Sequence, residues 1–288
     1  RRDDQFPSIT EKLGYHPLGL KIVGARLRDM TSADWVKSYD ITRMKMGYSA
    51  KKTDDNLVAC FQVSVDSLPE ELPPLYHALG IFPEDVWIPE SMVTILWQAL
   101  NPQLSSADCT DISIELAKLA LIDRQRDTKQ IRMHDLLHDY NRHKIREYDA
   151  DLQSQFVTAL SDPYTLPHEY AWRFYAYHLM GANRLAELRP LLVSYRWLDA
   201  KLHATDPKAL MDDCTIWLTQ GKDETIRLIR SALDMSANTL LTDKNALAHQ
   251  LAGRLMHYYN TMDEIAIFWD NIIPPKNSSY PLFIGNNE

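Results

Sequence analysis

A mainly helical protein with one short β-hairpin is the fold class that the sequence predicts. Apolar residues recur at the three- and four-residue spacing of an amphipathic helix through most of the chain. Glycine is scarce, at 9 of 288 residues or about 3% against a usual ~7%, so Gly-rich β-architectures do not fit. Two short strand-like pieces, Leu121 to Gln125 and Gln130 to Met133, enclose a polar turn and predict the hairpin.

Length, composition and net charge limit the number of domains and the kinds of partner that this protein can have. A chain of 288 residues has room for about two domains of ~150 residues. Apolar residues make up 45% and charged residues 24%, as in ordinary globular proteins, and no apolar run reaches the ~18 residues of a transmembrane helix. The formal net charge of −8 argues against nonspecific binding to nucleic acid or to an acidic membrane surface.

Cysteine usage favours a reducing compartment. The three cysteines, Cys60, Cys109 and Cys214, are far apart and lack metal-ligand spacing, so neither a disulfide framework nor a zinc ribbon fits. The sequence begins Arg-Arg-Asp-Asp without an initiator Met or a signal-peptide stretch. We therefore expect a segment of a longer, cytoplasmic protein.

Residues 1–55 are predicted to be helical. Pro17 suits the first position of a helix, where its missing N–H is not needed, and Thr31-Ser32 predicts the capped start of the next helix. The Lys- and Ser-rich stretch from Met44 to Asp55 interrupts the helical pattern and predicts a boundary. The apolar stripe that continues the helix from Pro17 consists of Leu18, Ile22 and Ala25.

Residues 56–148 are predicted to form a winged-helix domain, because several helices precede the one hairpin. Ile88-Pro89 is expected to start a helix, and Ser105-Ser106 to cap the following one. The hairpin comes next, and a further helix opens at His134-Asp135.

Successive amphipathic helices follow in residues 149–275 and predict a helical domain of stacked α-hairpins. The segment 276–288 is linker-like in composition, and we expect a further part of the parent protein to follow it. An aromatic run lies within the helical domain, and its helical spacing favours packing between helices over a base-stacking platform. The run comprises Tyr170, Trp172, Phe174, Tyr175 and Tyr177.

Catalytic motifs are missing from the sequence. None of the glycines makes GxGxxG or GxxxxGK[ST], and neither a G-x-S-x-G elbow nor HExxH occurs. The chain by itself is therefore predicted not to be an enzyme, and no metal site is expected.

Two alternatives start from the same predicted elements. His134 and His138 share a helix face, as zinc ligands do, but His143 falls on the opposite face and leaves the third ligand missing. A winged helix also raises DNA binding, yet residues 61–120 hold nine acidic residues and one basic residue. Phosphate neutralisation requires the reverse balance. A metal-dependent hydrolase and a DNA-binding regulator remain less favoured alternatives.

Six blocks of sequence follow one another along the chain: Gly14 to Asp29, Val65 to Pro69 with Ile81 to Pro89 and Leu96-Trp97, Arg132 to Leu136, Tyr175 to Leu179, Trp197 to Leu202, and Ala252 to Leu255. In this order they resemble the apoptotic protease-activating-factor branch of the NB-ARC (STAND) nucleotide switches. The first block is similar to the GLPLAL segment of that family, the second to the opening of its winged-helix domain, the third to its MHD motif, and the last three to the following helical domain.

The resemblance implies a nucleotide site. His134 would contact the β-phosphate of ADP and Pro17 would pack on the adenine, although Tyr15-His16 replaces the usual leucine before that proline. The P-loop domain of the family and the first part of its adjoining helical domain are missing from this sequence. We therefore expect ADP or ATP in the parent protein and no tightly bound nucleotide in this fragment.

The function implied by the resemblance is the lever portion of a signalling switch, closed with ADP and open and oligomeric with ATP. The expected partners are its own nucleotide-binding domain, a WD-repeat propeller in the same chain and further copies of the protein, but not nucleic acid or a membrane. The alternative is a helical interaction scaffold without nucleotide coupling.

Overall fold

The computed structural model describes residues 5–46 and 53–272. Within these ranges the protein is mainly helical and carries one small antiparallel sheet, so the predicted fold class is confirmed. The predicted linker at 276–288 and part of the expected boundary between Met44 and Asp55 lie outside the described residues. Contacts divide the chain after Ala159 into two compact units.

The first unit is built on nine described helices and three short strands. Helix α4 packs against α2 and α3, α9 packs on α6, and α8 packs on α5 and the 3-10 turn Leu79–Ile81. The helices are α1 (Phe6–Lys12), α2 (Pro17–Arg26), α3 (Ser32–Met46), α4 (Thr53–Val65), α5 (Leu72–Ala78), α6 (Glu90–Leu100), α7 (Ser106–Lys118), α8 (Asp135–Ile145) and α9 (Asp149–Ala159), and the strands are β1 (Ile88–Pro89), β2 (Asp123–Gln125) and β3 (Gln130–Arg132).

The sheet corrects one expectation about the sequence. The hairpin of β2 and β3 forms where it was predicted, but Ile88-Pro89 forms strand β1 rather than the start of a helix, and α6 begins at Glu90. Ile88 pairs with Ile131 of β3, which makes β1 an outer strand of the order β1-β3-β2. Proline is tolerated there because an edge strand does not need every N–H.

Side-chain caps start two helices of this unit at the predicted positions. Thr31 Oγ1 accepts a hydrogen bond from the N–H of Asp34 at 3.2 Å at the start of α3. Ser105 and Asp108 cap α7 reciprocally, each side chain accepting from the backbone N–H of the other. Such a capping box satisfies two N–H groups that the helix leaves unpaired, so the local sequence fixes where these helices begin.

The described part of the second unit, which ends at Ile272, consists of helices with short 3-10 turns between several of them. Helix α14, the longest, packs against α13 and α15, and α10 packs against α12 and α13. The helices are α10 (Glu169–Gly181), α11 (Leu188–Leu192), α12 (Tyr195–Ala204), α13 (Pro207–Leu218), α14 (Glu224–Thr242), α15 (Leu247–Leu255) and α16 (Asp263–Ile272).

The aromatic run on α10 packs within this unit. The rings of Trp172 and Tyr175 lie 5.2 Å and 5.7 Å from the fully buried ring of Trp197 on α12. Tyr170 lies 4.8 Å from Phe174 on the same helix and is also buried. The predicted packing role is confirmed for Trp172 and Tyr175, which join α10 to α12, and for Tyr170, which is buried beside Phe174.

Among the described helices, none has the length and apolar character needed to cross a membrane.

Candidate functional site

A cavity of about 210 Å³ in the first unit brings together the two residues predicted to touch a ligand. One wall comes from the start of α2, and the other from the chain between α7 and β2 together with the start of α8. Pro17 lies on the first wall and His134 on the second, separated by more than a hundred residues in sequence. The lining consists of Pro17, Leu18, Lys21, Ala120, Leu121, Ile122, Asp123, His134 and Leu137.

A tight turn positions Pro17 at the first wall. Gly14 and Tyr15 both adopt left-handed backbone angles, with φ of 58° and 57°, and His16 is extended before the helix starts at Pro17. Glycine accepts positive φ at no steric cost, whereas an aromatic residue does so rarely. Leu18, which follows, is buried in the core, so the exposed ring of Pro17 is held at the cavity by a fixed first turn.

The second wall begins where α7 ends. Ala120 has a φ of 57°, and the N–H of Leu121 bonds back to the carbonyl of Leu116 at 3.0 Å. A left-handed residue at this position reverses the chain after a helix. The reversal sends Leu121 and Ile122, both buried, along the cavity towards Asp123 at the start of β2.

His134 caps helix α8 through one ring nitrogen. Its Nδ1 accepts a hydrogen bond from the N–H of Leu136 at 3.3 Å, and its own carbonyl accepts from Leu137 and His138. A neutral imidazole carries a proton on only one nitrogen, so a cap through Nδ1 leaves the proton on Nε2. The exposed ring therefore offers an N–H donor beside the N-terminus of a helix, where anions are stabilised.

Two residues near His134, Met133 and His138, have buried hydrogen-bond partners elsewhere in the first unit. Met133 is buried, with its sulfur 3.0 Å from Nδ2 of Asn141. His138 is buried, and its Nε2 donates to the carbonyl of Phe82 at 2.8 Å. His134 and His138 are thus engaged in different directions, although they lie one turn apart on α8.

The zinc alternative receives no support from these positions. In the described part of the chain, the grouping of side chains that could hold a metal ion is Glu84, Asp85 and Asp135, which includes neither histidine. Exposed carboxylates of this kind are common without an ion.

Charge on α7 opposes the DNA alternative. The single base of this helix, Lys118, pairs with Glu115 at 3.1 Å, and the carboxylate of Asp108 is used in the capping box. The side-chain and backbone hydrogen bonds from Ser105 lower the pKa of Asp108, so its negative charge is retained. A helix with this charge does not neutralise phosphates.

Two charged residues of the cavity were missed from sequence. Lys21 Nζ lies 2.6 Å from Asp123 Oδ1, and Arg132 Nη2 lies 3.9 Å from Asp123 Oδ2. The signal that could have found Lys21 is its position four residues after Pro17, because residues four apart share a helix face. Asp123 carried no comparable signal, since only the folded hairpin brings it to α2.

The fold and the cavity define the chain as a mainly helical region whose first helices and hairpin form the two walls of one small site. Residues 144–247 match the family model of the APAF-1 helical domain, and this part of the chain is therefore similar to that domain. The recognition of the sequence as apoptotic protease-activating-factor-like is confirmed by this match and by the similar proteins below.

Several curated proteins are similar over most of the chain. Apoptotic protease-activating factor 1 of Mus musculus is 28% identical over 224 residues, which is 72% of this chain and 17% of the relative. The Homo sapiens protein of the same name is 27% identical over 228 residues, 73% of this chain and 18% of the relative. The Danio rerio protein is 24% identical over a similar span. This chain thus spans about a sixth of the length of the relatives it matches.

Proposed function

We propose that this chain is the helical regulatory portion of an apoptosis-related signalling protein, and that it senses a nucleotide through the cavity between α2 and α8. The similarity to apoptotic protease-activating factor 1 supports the regulatory role and a non-catalytic fragment. The observation that carries the nucleotide role is the presence of Pro17 and His134 on opposite walls of one cavity.

The chemistry of the two walls fits part of a nucleotide. Pro17, Leu18 and Leu137 provide apolar surface for a base, while His134 provides an Nε2–H donor for a phosphate oxygen. Pockets that enclose a whole small ligand usually measure about 300–1,000 Å³, so a cavity of about 210 Å³ suits only a portion of ADP. The remaining contacts belong to the proposed nucleotide-binding domain of the parent protein.

The proposed domain organisation follows the family order. Residues 1–55 form the end of the first helical domain, 56–148 a winged-helix domain and 149–275 the second helical domain, with a linker at 276–288. The helix order α6, α7, hairpin, α8 supports the winged helix. Helix α9 is the first helix of the proposed second helical domain, but it packs on α6. The compact first unit therefore extends past residue 148 to Ala159.

In this proposal the nucleotide controls which state of the parent protein is populated. A ligand shifts such an equilibrium only by its difference in affinity for the two states. His134 contributes that difference in affinity if its ring contacts a phosphate of ADP in the closed state and if this contact is lost in the open, ATP-bound state. In this proposal the open state is the one that forms oligomers and signals in the cytoplasm.

The test separates the phosphate contact of His134 from its role as a helix cap. In the full-length protein, His134→Ser keeps a side-chain oxygen for the N-cap but removes the Nε2–H donor. The matched control is His168→Ser, because His168 caps α10 through Nδ1 in the same way, at 3.0 Å from the N–H of Tyr170, and does not line the cavity. The measurement is the nucleotide released on denaturation, identified by ion-exchange chromatography.

We expect stoichiometric ADP in the wild type and in His168→Ser, and clearly less in His134→Ser. The loss of a hydrogen bond to a charged group, about 1.5–3 kcal/mol, corresponds to roughly a 10- to 150-fold faster release of ADP. Equal ADP content in both variants would reduce His134 to a helix cap. A wild type without bound nucleotide would leave the helical scaffold as the function.

A further inference from the structure

Lys21 is the one lysine that lines the cavity among the described residues. It follows Pro17 by four residues on α2, so the two side chains occupy the same helix face. Its side chain is 54% exposed, which leaves the ammonium group accessible from solvent. Lys21 thus places a positive charge one helical turn beyond the residue proposed to pack on the base.

The present partner of Lys21 is a weak one. Its Nζ lies 2.6 Å from Asp123 Oδ1, but both side chains are more than a third exposed. Exposed ion pairs of this kind change an equilibrium constant by about fivefold at most. A phosphate group carries more charge than a carboxylate and accepts charge-assisted hydrogen bonds of about twice the ordinary strength. An entering phosphate would therefore compete successfully with Asp123.

Asp123 would keep a counter-charge after such an exchange. Arg132 Nη2 lies 3.9 Å from its Oδ2, and the Arg132 guanidinium is held over the ring of Trp87 at 4.9 Å. The exchange of partners by Lys21 would thus leave the carboxylate of Asp123 close to another cation and solvent-exposed. For this reason the movement of Lys21 carries little penalty.

We propose that Lys21 is a phosphate-binding residue of this cavity and that Asp123 competes with the phosphate for its ammonium group. This inference rests on the proposed nucleotide site and adds to it a second side chain that recognises the diphosphate. It makes the site selective for a nucleoside diphosphate over the uncharged nucleoside. His134 would supply a neutral donor, and Lys21 the charge.

The test compares ADP with adenosine as ligands of the full-length protein depleted of nucleotide, by equilibrium titration. Lys21→Met keeps the length of the side chain and removes the charge, whereas Asp123→Asn removes the competing anion. The matched controls are Lys12→Met and Asp40→Asn, because Lys12 and Asp40 form a similar ion pair at 2.8 Å in the same unit and do not line the cavity.

We expect Lys21→Met to weaken ADP binding about tenfold and adenosine binding less than twofold, because a hydrogen bond between charged groups is lost only with ADP. Asp123→Asn should strengthen ADP binding about two- to fivefold, since the competing pair is removed. The two control variants should leave both affinities unchanged, and the dependence of ADP binding on salt should be shallower in Lys21→Met.

The diagnostic result is that Lys21→Met weakens ADP binding while Asp123→Asn strengthens it. If Lys21→Met and Asp123→Asn weaken ADP and adenosine alike, their ion pair is a structural tie between α2 and β2 and the inference is wrong. If His134→Ser weakens ADP binding but Lys21→Met does not, only the role of Lys21 is wrong. If neither His134→Ser nor Lys21→Met affects ADP binding, the proposed nucleotide site itself is wrong.

Discussion

Removal of one partner from the buried ion pair between Lys201 and Asp213 should strongly destabilise the second unit. Lys201 Nζ on α12 lies 2.5 Å from Asp213 Oδ2 on α13, and the two side chains are 0% and 1% exposed. Burial raises the pKa of Asp213 to about 6 and lowers the pKa of Lys201, because desolvation outweighs the attraction between the charges. Each charge therefore remains in the core only because the other is present.

The expected magnitude follows from what each variant leaves behind. Among the described residues, Oδ1 of Asp213 has no hydrogen-bond partner. Lys201→Met removes the ammonium group that donates to Oδ2, so both oxygens of the buried carboxyl group would then lack a donor. Loss of one partner of a buried pair costs about 3–5 kcal/mol. Replacement of both charges, in Lys201→Met with Asp213→Leu, should leave the free energy of unfolding within about 1 kcal/mol of the wild type or raise it.

The assay is urea-induced unfolding of the chain, followed by far-ultraviolet circular dichroism. Lys208→Met is the matched control, because Lys208 and Asp212 form an exposed pair at 2.5 Å on the same helix α13, and such pairs contribute about 0.3–0.5 kcal/mol. The reasoning is refuted if Lys201→Met lowers the free energy of unfolding no more than Lys208→Met does. A double variant as unstable as the single one would also refute it.

Two further predictions concern acid sensitivity and packing. Burial lowers the pKa of His178 to about 3, so the unfolded chain binds one more proton than the folded chain between pH 6.5 and about 3. The free energy of unfolding therefore falls with decreasing pH by about 1.4 kcal/mol per pH unit in this range. Urea titrations at several pH values should show a shallower dependence on pH in His178→Gln, and an unchanged dependence would contradict a neutral buried ring. A Cβ at Gly80 would lie 3.0 Å from the backbone nitrogen of Arg142 on α8, so Gly80→Ala should destabilise by about 1–3 kcal/mol. Gly24→Ala, with open space around its Cβ, should instead stabilise the helix by about 0.5–1 kcal/mol, and thermal melts showing equal effects at the two glycines would contradict the close approach of α8.

The elements that the sequence predicts correctly are those whose signals are local. Ser105 and His134 each supply a side-chain acceptor to N–H groups two or three residues away, and this interaction needs no tertiary contact. The hairpin is encoded by two short segments around one polar turn. Its observed strands, Asp123–Gln125 and Gln130–Arg132, fall inside the predicted pieces.

The features that escaped prediction depend on contacts between distant segments. Ile88-Pro89 has the local sequence of a helix start, but pairing with β3 makes it a strand. The ion pair between Lys21 and Asp123 joins residues 102 positions apart, and no periodicity records such a distance. Propensity is a weak guide wherever tertiary packing decides the outcome, and the two walls of the cavity, each formed locally, meet only through such packing.

The strength of the proposed site can be bounded from its own side chains. Association of a ligand costs an estimated 4–15 kcal/mol in lost freedom of motion. Two hydrogen bonds to charged groups, from His134 and Lys21, would return about 3–6 kcal/mol, and the exposed ring of Pro17 covers only one face of a base. These contributions roughly balance the lower bound of that cost. We therefore expect this chain alone to bind ADP weakly, and a nucleotide to be retained only where a further domain completes the contacts around the cavity.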